Sequence, residues 1–193
     1  MSKPAITTLS AETLAEAARE ANQKGLPPVH LWNPAFCGEI DMRIARNGTW
    51  FYQGSVIERP EMVKLFSTIL KREGDTYFLV TPVEKVGITV DDAPFVAVDF
   101  DSAGEAEQRV IVFETNVGDK VIAGKHNPIR MTRDANTGEP SPYVLVRKNL
   151  EALIDRKSFY RLMEICEEHE GWFGLWSEGQ FFRVIAAEEM TTD

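Results

Sequence analysis

The side chains most able to meet a charged ligand are concentrated in one stretch of this sequence. Between 120 and 161, nine basic residues stand against four acidic ones, although the whole chain of 193 residues carries a net charge of −9. In or beside this basic segment are Asn116, Asp119, Lys120, His126, Arg130 and Arg147. Arginine offers a planar fork that can grip a phosphate or carboxylate through two parallel hydrogen bonds, and lysine adds a mobile point charge. A second set is Pro82, Glu84 and Lys85, in the run Thr81-Pro82-Val83-Glu84-Lys85. That run joins two strand-like stretches, and loops held on rigid strands commonly carry binding residues. Each set also has a plainer reading. The basic segment can pair with its acidic flanks, since 84–119 has two basic and nine acidic residues and 162–193 has one and eight. Glu84 and Lys85 can be an incidental ion pair on an exposed turn.

Other chemistry finds less support. Asp99 and Asp101 alternate around Phe100, so both can point to one side of a strand and could hold a hard cation, or simply face solvent while Val98 and Phe100 face inward. His30, His126 and His169 are too dispersed for a metal triad, and His169 sits among Glu167, Glu168 and Glu170 as a surface residue would. Gly171 and Gly174 make no phosphate-cradling loop, no Gly-x-Ser-x-Gly elbow is present, and no cofactor motif is identified. Cys37 lacks the setting of an activated thiolate, and Cys166 reads as core.

Composition narrows the class. Hydrophobic residues at 44% and charged residues at 26% are globular proportions and exclude a disordered or fibrous chain. The acidic balance opposes binding to a nucleic-acid polymer or an anionic membrane. The longest apolar runs, such as Val110-Ile111-Val112-Phe113, are strand-length, far below the ~20 residues of a membrane helix. Two cysteines cannot build a disulfide framework, and Met1 to Ala21 lacks the apolar block of a secretory leader, so the cytoplasm is the expected setting.

The elements that must position these residues come in two copies. At an offset of 97 residues, Ile57-Glu58-Arg59 matches Ile154-Asp155-Arg156. At the same offset Met62, Leu65, Phe66 and Ile69 meet Phe159, Leu162, Met163 and Cys166, and Glu73-Gly74 meets Glu170-Gly171. The apolar positions recur at three and four residues, which predicts a helix of about fourteen residues in each copy, ended by the paired glycines. Pro60 suits the first turn of one helix and Asp155 the cap of the other. Alternation over Ile40–Ile44, the turn Asn47-Gly48 and the run Trp50-Phe51-Tyr52 predict a hairpin before the first helix. Strands are expected at 143–146, 77–80, 172–176 and 181–185, with further strands at 95–100 and 109–113 and a loop over Thr132–Pro142. A separate helix is expected over 10–23, capped by Ser10 and ended by Gly25.

The fold class is therefore α+β, a duplicated hairpin–helix–hairpin unit with antiparallel sheets. Its expected pieces are an N-terminal helix and linker (1–29), a first repeat unit (30–93), a connecting β segment and loop (94–142) and a second repeat unit (143–193).

The stretches GTWFYQGSVIERPEMVKLF (48–66), LVTPVEKVGITVDDAPFVA (79–97), FETNVGD (113–119), HNPIRM (126–131) and PYVLVRKNLEALIDR (142–156) resemble a mostly bacterial family, domain of unknown function 1285. The resemblance spans roughly 30–187. It implies a duplicated core whose C-terminal half is like pleckstrin-homology folds (a roll or barrel), a ligand site between the halves, a nucleotide-like ligand and a signalling role. It implies no established activity.

Three functions stay open on these grounds. One is a non-enzymatic sensor or adaptor holding a small anionic ligand at Pro82, Glu84, Lys85, Asn116, Asp119, Lys120, His126, Arg130 and Arg147. Another is a protein-interaction module, given Trp172, Phe173, Trp176, Phe181 and Phe182 within eleven residues. The third is an enzyme whose site converges from distant segments, for which no nucleophile–base pair or metal cage is visible.

Overall fold

The computed structural model describes residues 10–191, so the expected lack of a leader over Met1–Ala21 rests in part on residues 1–9, which lie outside the described residues. The chain forms two units. One is built from residues up to Ala45 and from Thr49–Asp91, the other from Arg46–Gly48 and from Asp92 onward.

The N-terminal unit opens with α1 (Ala11–Ala21). The helix starts where expected because Ser10 and Thr13 cap each other, each side-chain oxygen accepting from the other's backbone N–H at 3.3 Å. Leu14, Ala15 and Ala18 form its buried stripe. Then follow β1 (Phe36–Ile44), β2 (Trp50–Tyr52), β3 (Ser55–Val56), α2 (Pro60–Thr68), β4 (Leu70–Glu73), β5 (Thr76–Val80) and β6 (Lys85–Val90). The strands form one sheet in the order β3-β2-β1-β6-β5-β4. Met42, Ile44, Leu70, Leu79 and Val86 face the core, where Trp50 stacks on Phe66 of α2 with ring centroids 6.2 Å apart.

The C-terminal unit comprises β7 (Phe95–Ala103), β8 (Val110–Thr115), β9 (Lys120–Ile122), β10 (Ile129–Arg133), β11 (Pro140–Arg147), β12 (Leu150–Ile154), α3 (Arg156–Glu164), β13 (Glu167–His169), β14 (Trp172–Ser177) and β15 (Gln180–Ala186). Its large sheet runs β10-β11-β12-β7-β8-β9, and β13-β14-β15 form a smaller one. Phe95, Ile111, Phe113, Val144, Ile154 and Leu162 are its buried centre.

The α+β class and the likeness of the halves hold, with three corrections. The helices α2 and α3 have nine residues each. They stop early because the following residues are claimed by ladders: Leu70 pairs with Leu79, and His169 with Trp172. Gly74 (φ +59) and Gly171 (φ +79) therefore turn hairpins and do not end helices. The sheets are also not wholly antiparallel, for β1 runs parallel to β6 and β12 parallel to β7. Each of these pairs is joined through a long crossover, as parallel pairing requires. Finally, most of Thr132–Pro142 is hairpin: Thr132 and Arg133 end β10, Pro140 opens β11, and the turn is set by Asp134 Oδ1, which accepts from Asn136 and Thr137 N–H at 2.8 Å each.

Candidate functional site

Of the nine residues expected to bind, three lie in the N-terminal unit. Thr81 supplies the turn chemistry that the run around Pro82 lacks in Gly or Asn, its buried hydroxyl accepting from Glu84 N–H at 3.1 Å. Pro82 is exposed and Glu84 half-buried. Lys85 lies over the Phe78 ring at 4.9 Å and reaches Glu73 Oε2 at 3.0 Å, while Lys71 holds the other oxygen at 3.1 Å. Hydrogen bonds from Lys85 and then Lys71 hold the Glu73 carboxyl below its ordinary range.

The other six lie in the C-terminal unit, where the arginines hold separate carboxylates. Arg130 grips both oxygens of Glu151 at 2.5 and 2.7 Å and lies 4.3 Å over Tyr143. Arg147 pairs with Asp119 and lies 4.8 Å over Phe95. Arg161 pairs with Asp99, and Arg133 with Glu189. Lys120 faces Glu114 in the β8–β9 ladder, and His126 is exposed. Asn116 is a clamp: its Oδ1 accepts from Val96 N–H at 3.0 Å and its Nδ2 donates to Gly48 O at 3.4 Å. Asp99 and Asp101 are both exposed with Phe100 buried between them, and among the described residues no group of His, Cys, Asp or Glu could hold a metal ion.

None of the nine lines the large groove of the C-terminal unit, which has a volume of about 670 Å³. The groove exists because the β11–β12 ladder ends early. Its last pair is Tyr143–Leu153. Leu145 N–H donates to Pro128 O on the β10 side, so by strand alternation Pro142 and Pro140 would direct an N–H toward β12, and proline has none. Beyond Ile154 the chain leaves for α3, capped by Asp155, whose side chain accepts from Ser158 N–H at 2.7 Å. Between this departing chain and the overhanging prolines the groove opens.

Its floor is apolar, made by Val96, Val98, Leu153 and Ile154, and Phe159 and Tyr160 of α3 form one wall. The opposite rim carries Arg46, fixed by Asp92 Oδ2 at 3.0 Å and donating to Ser141 Oγ at 2.9 Å. Asp92 also accepts from the Tyr143 hydroxyl at 2.7 Å; burial first, and this bond second, raise the tyrosine above its ordinary value. Arg156 is freer, 76% exposed and 3.8 Å from Glu139, with Nε donating to Tyr160 Oη at 3.1 Å. Two guanidiniums, a phenol and an aromatic wall above an apolar floor can hold a flat ligand with a polar head. The signal in the sequence was the Ile154-Asp155-Arg156 repeat, together with two prolines opposite it.

The half-buried rings of His169, Trp176 and Phe181 gather 4.9–5.1 Å apart on the small sheet. Gly174 makes room for them, since a β-carbon there would lie 2.6 Å from Phe181 Cζ. No helix among the described residues is long and apolar enough to cross a membrane.

Two family models match the chain: the N-terminal domain of the domain of unknown function DUF1285 over residues 27–93, and the C-terminal domain of the DUF1285 proteins of unknown function over 94–184. Among solved structures, a DUF1285-family protein from Silicibacter pomeroyi DSS-3 is 64% identical, with a TM-score of 0.87 over 93% of this chain and 98% of its own. A DUF1285-family protein from Shewanella baltica OS155 is 29% identical, with a TM-score of 0.51 over 65% of this chain and 92% of its own. No curated protein matches the chain.

Proposed function

The chain belongs to the DUF1285 family, and on that footing we propose that it is a non-enzymatic binding protein, a sensor or adaptor, that seats a small ligand in the groove of its C-terminal unit. The observation that carries this reading is a cavity of about 670 Å³ with an apolar floor, an aromatic wall and the loosely paired Arg156 at its rim. Those features suit a flat ring with an anionic group, and nucleotides are one class of that description. Arg46 is already anchored and would orient the ring end, leaving Arg156 to swing onto the anion. A pleckstrin-homology-like roll is part of the same proposal. In support, β15 lies beside β10, and Ser177 at the end of β14 bonds Ile111 of β8, so the small sheet is tied to the large one.

Calorimetric titration with nucleoside monophosphates and diphosphates tests the reading. We expect binding by at least one of them, weakened tenfold or more by Arg156→Ala with the melting temperature unchanged. Silence across the panel would sink it.

A second reading, a protein-interaction module, draws on the ring cluster around Gly174. If it holds, Trp176→Ala abolishes association with a partner while leaving groove titrations as they were; unchanged association removes it.

A further inference from the structure

The motif that lines the large groove also lines a second one, in the N-terminal unit. Ile57, Glu58, Arg59 and Met62 stand there at the positions that Ile154, Asp155, Arg156 and Phe159 occupy in the first, each pair separated by the same 97 residues. We propose that this second groove is a binding seat of the same chemical class, so that the duplicated chain carries two ligand sites of different size. The proposal rests on the reading of the C-terminal groove given above.

Three observations support it. The cation is present and uncommitted: Arg59 precedes α2 in extended conformation, is exposed, and among the described residues makes no ion pair or side-chain hydrogen bond. The walls are apolar and aromatic, formed by Met62, by Phe66 against the Trp50 ring, and by Tyr52. Tyr52 brings a phenol to this groove as Tyr160 does to the other, and among the described residues its hydroxyl has only a 3.4 Å contact from Gln53 Nε2.

The size of the ligand follows from what the two units do not share. Ala11 of α1 closes one side of the second groove, and among the described residues the C-terminal unit has no counterpart of that helix. The volume is about 330 Å³, half that of the first. That is the low end for small-molecule pockets and fits a single ring with one anionic group. Glu58 is exposed and among the described residues caps no helix N–H, whereas its counterpart Asp155 is spent on Ser158 N–H. The second seat thus has an acid free to accept from a ring N–H or hydroxyl.

Phenyl phosphate is the probe, with inorganic phosphate as control, followed through backbone amide shifts of the whole chain. We expect two sets of shifts, around Met62 and around Phe159, with phenyl phosphate at least tenfold tighter than phosphate at both. Arg59→Ala should remove the first set tenfold or more and spare the second, and Arg156→Ala the reverse. Shifts confined to Phe159 and indifferent to Arg59→Ala overturn the second seat alone. Shifts at neither place overturn both readings, and equal response to inorganic phosphate shows charge attraction without a seat.

Discussion

Gly48 lies so close beneath Asn116 that a β-carbon at position 48 would stand 2.7 Å from Asn116 Nδ2 and 3.0 Å from Val96 Cγ2. The contact fixes the hairpin tip whose Arg46 and Asn47 line the large groove. Gly48 also has φ +85, which side chains rarely adopt. Gly48→Ala should therefore cost about 2 kcal/mol, the sum of a strained backbone and a forced displacement of Asn116. Denaturant unfolding measures the cost, and a loss below about 0.5 kcal/mol would mean that the tip shifts freely. Asn116→Ala should loosen the tip without the strain and weaken ligand binding more than folding.

The starts of the helices, their caps and the likeness of the halves were legible because they depend on neighbours close in sequence, whereas the helix ends were set by the ladders that follow. Ser10 with Thr13, Pro60 and Asp155 stand where local physics puts them. The groove was not, since it depends on where one ladder stops. That Pro142 and Ile154 come together at that end is a property of sheet pairing, which no spacing reveals. The pairing of the basic segment was hidden for a related reason. Charge counts show that arginines exceed carboxylates locally, but not that Arg130 would find Glu151 or Arg147 find Asp119. The repeated Ile-acid-Arg motif read as scaffold, and it lines both grooves.

Asp155 both caps α3 and borders the large groove. Removal of an N-cap oxygen exposes an unpaired helix N–H, so Asp155→Ala should destabilise by about 1 kcal/mol. Asp155→Asn keeps an accepting oxygen and should recover most of that loss. Equal loss in both variants would show that the charge matters and the cap does not.

Burial pushes the Cys166 thiol up to about 11, whereas Cys37 is exposed. Only the thiolate alkylates, so iodoacetamide at pH 8 should modify Cys37 quickly and leave Cys166 as the free thiol. Raising the pH toward 11 should bring Cys166 into reaction. Peptide mapping by mass reads both rates; comparable rates at pH 8 would show that the end of α3 opens readily to solvent.

The Ser177 hydroxyl completes a ladder that would otherwise be broken. Ala123 N–H donates to Ile111 O at 2.9 Å, the return bond is missing, and Ser177 Oγ fills its place. It accepts from Ile111 N–H at 2.9 Å and donates to Ala123 O at 2.6 Å, with the side chain fully buried. Ser177→Ala leaves a buried donor and a buried acceptor without partners, at a cost of about 2 to 4 kcal/mol. Unfolding should therefore move to lower denaturant. Hydrogen exchange should also speed up at the Ile111 amide more than at its neighbours in β8, because that N–H alone loses its acceptor. If instead the whole of β8 accelerates uniformly, loss of this hydroxyl loosens the small sheet from β8 as a whole, even though β15 still lies beside β10.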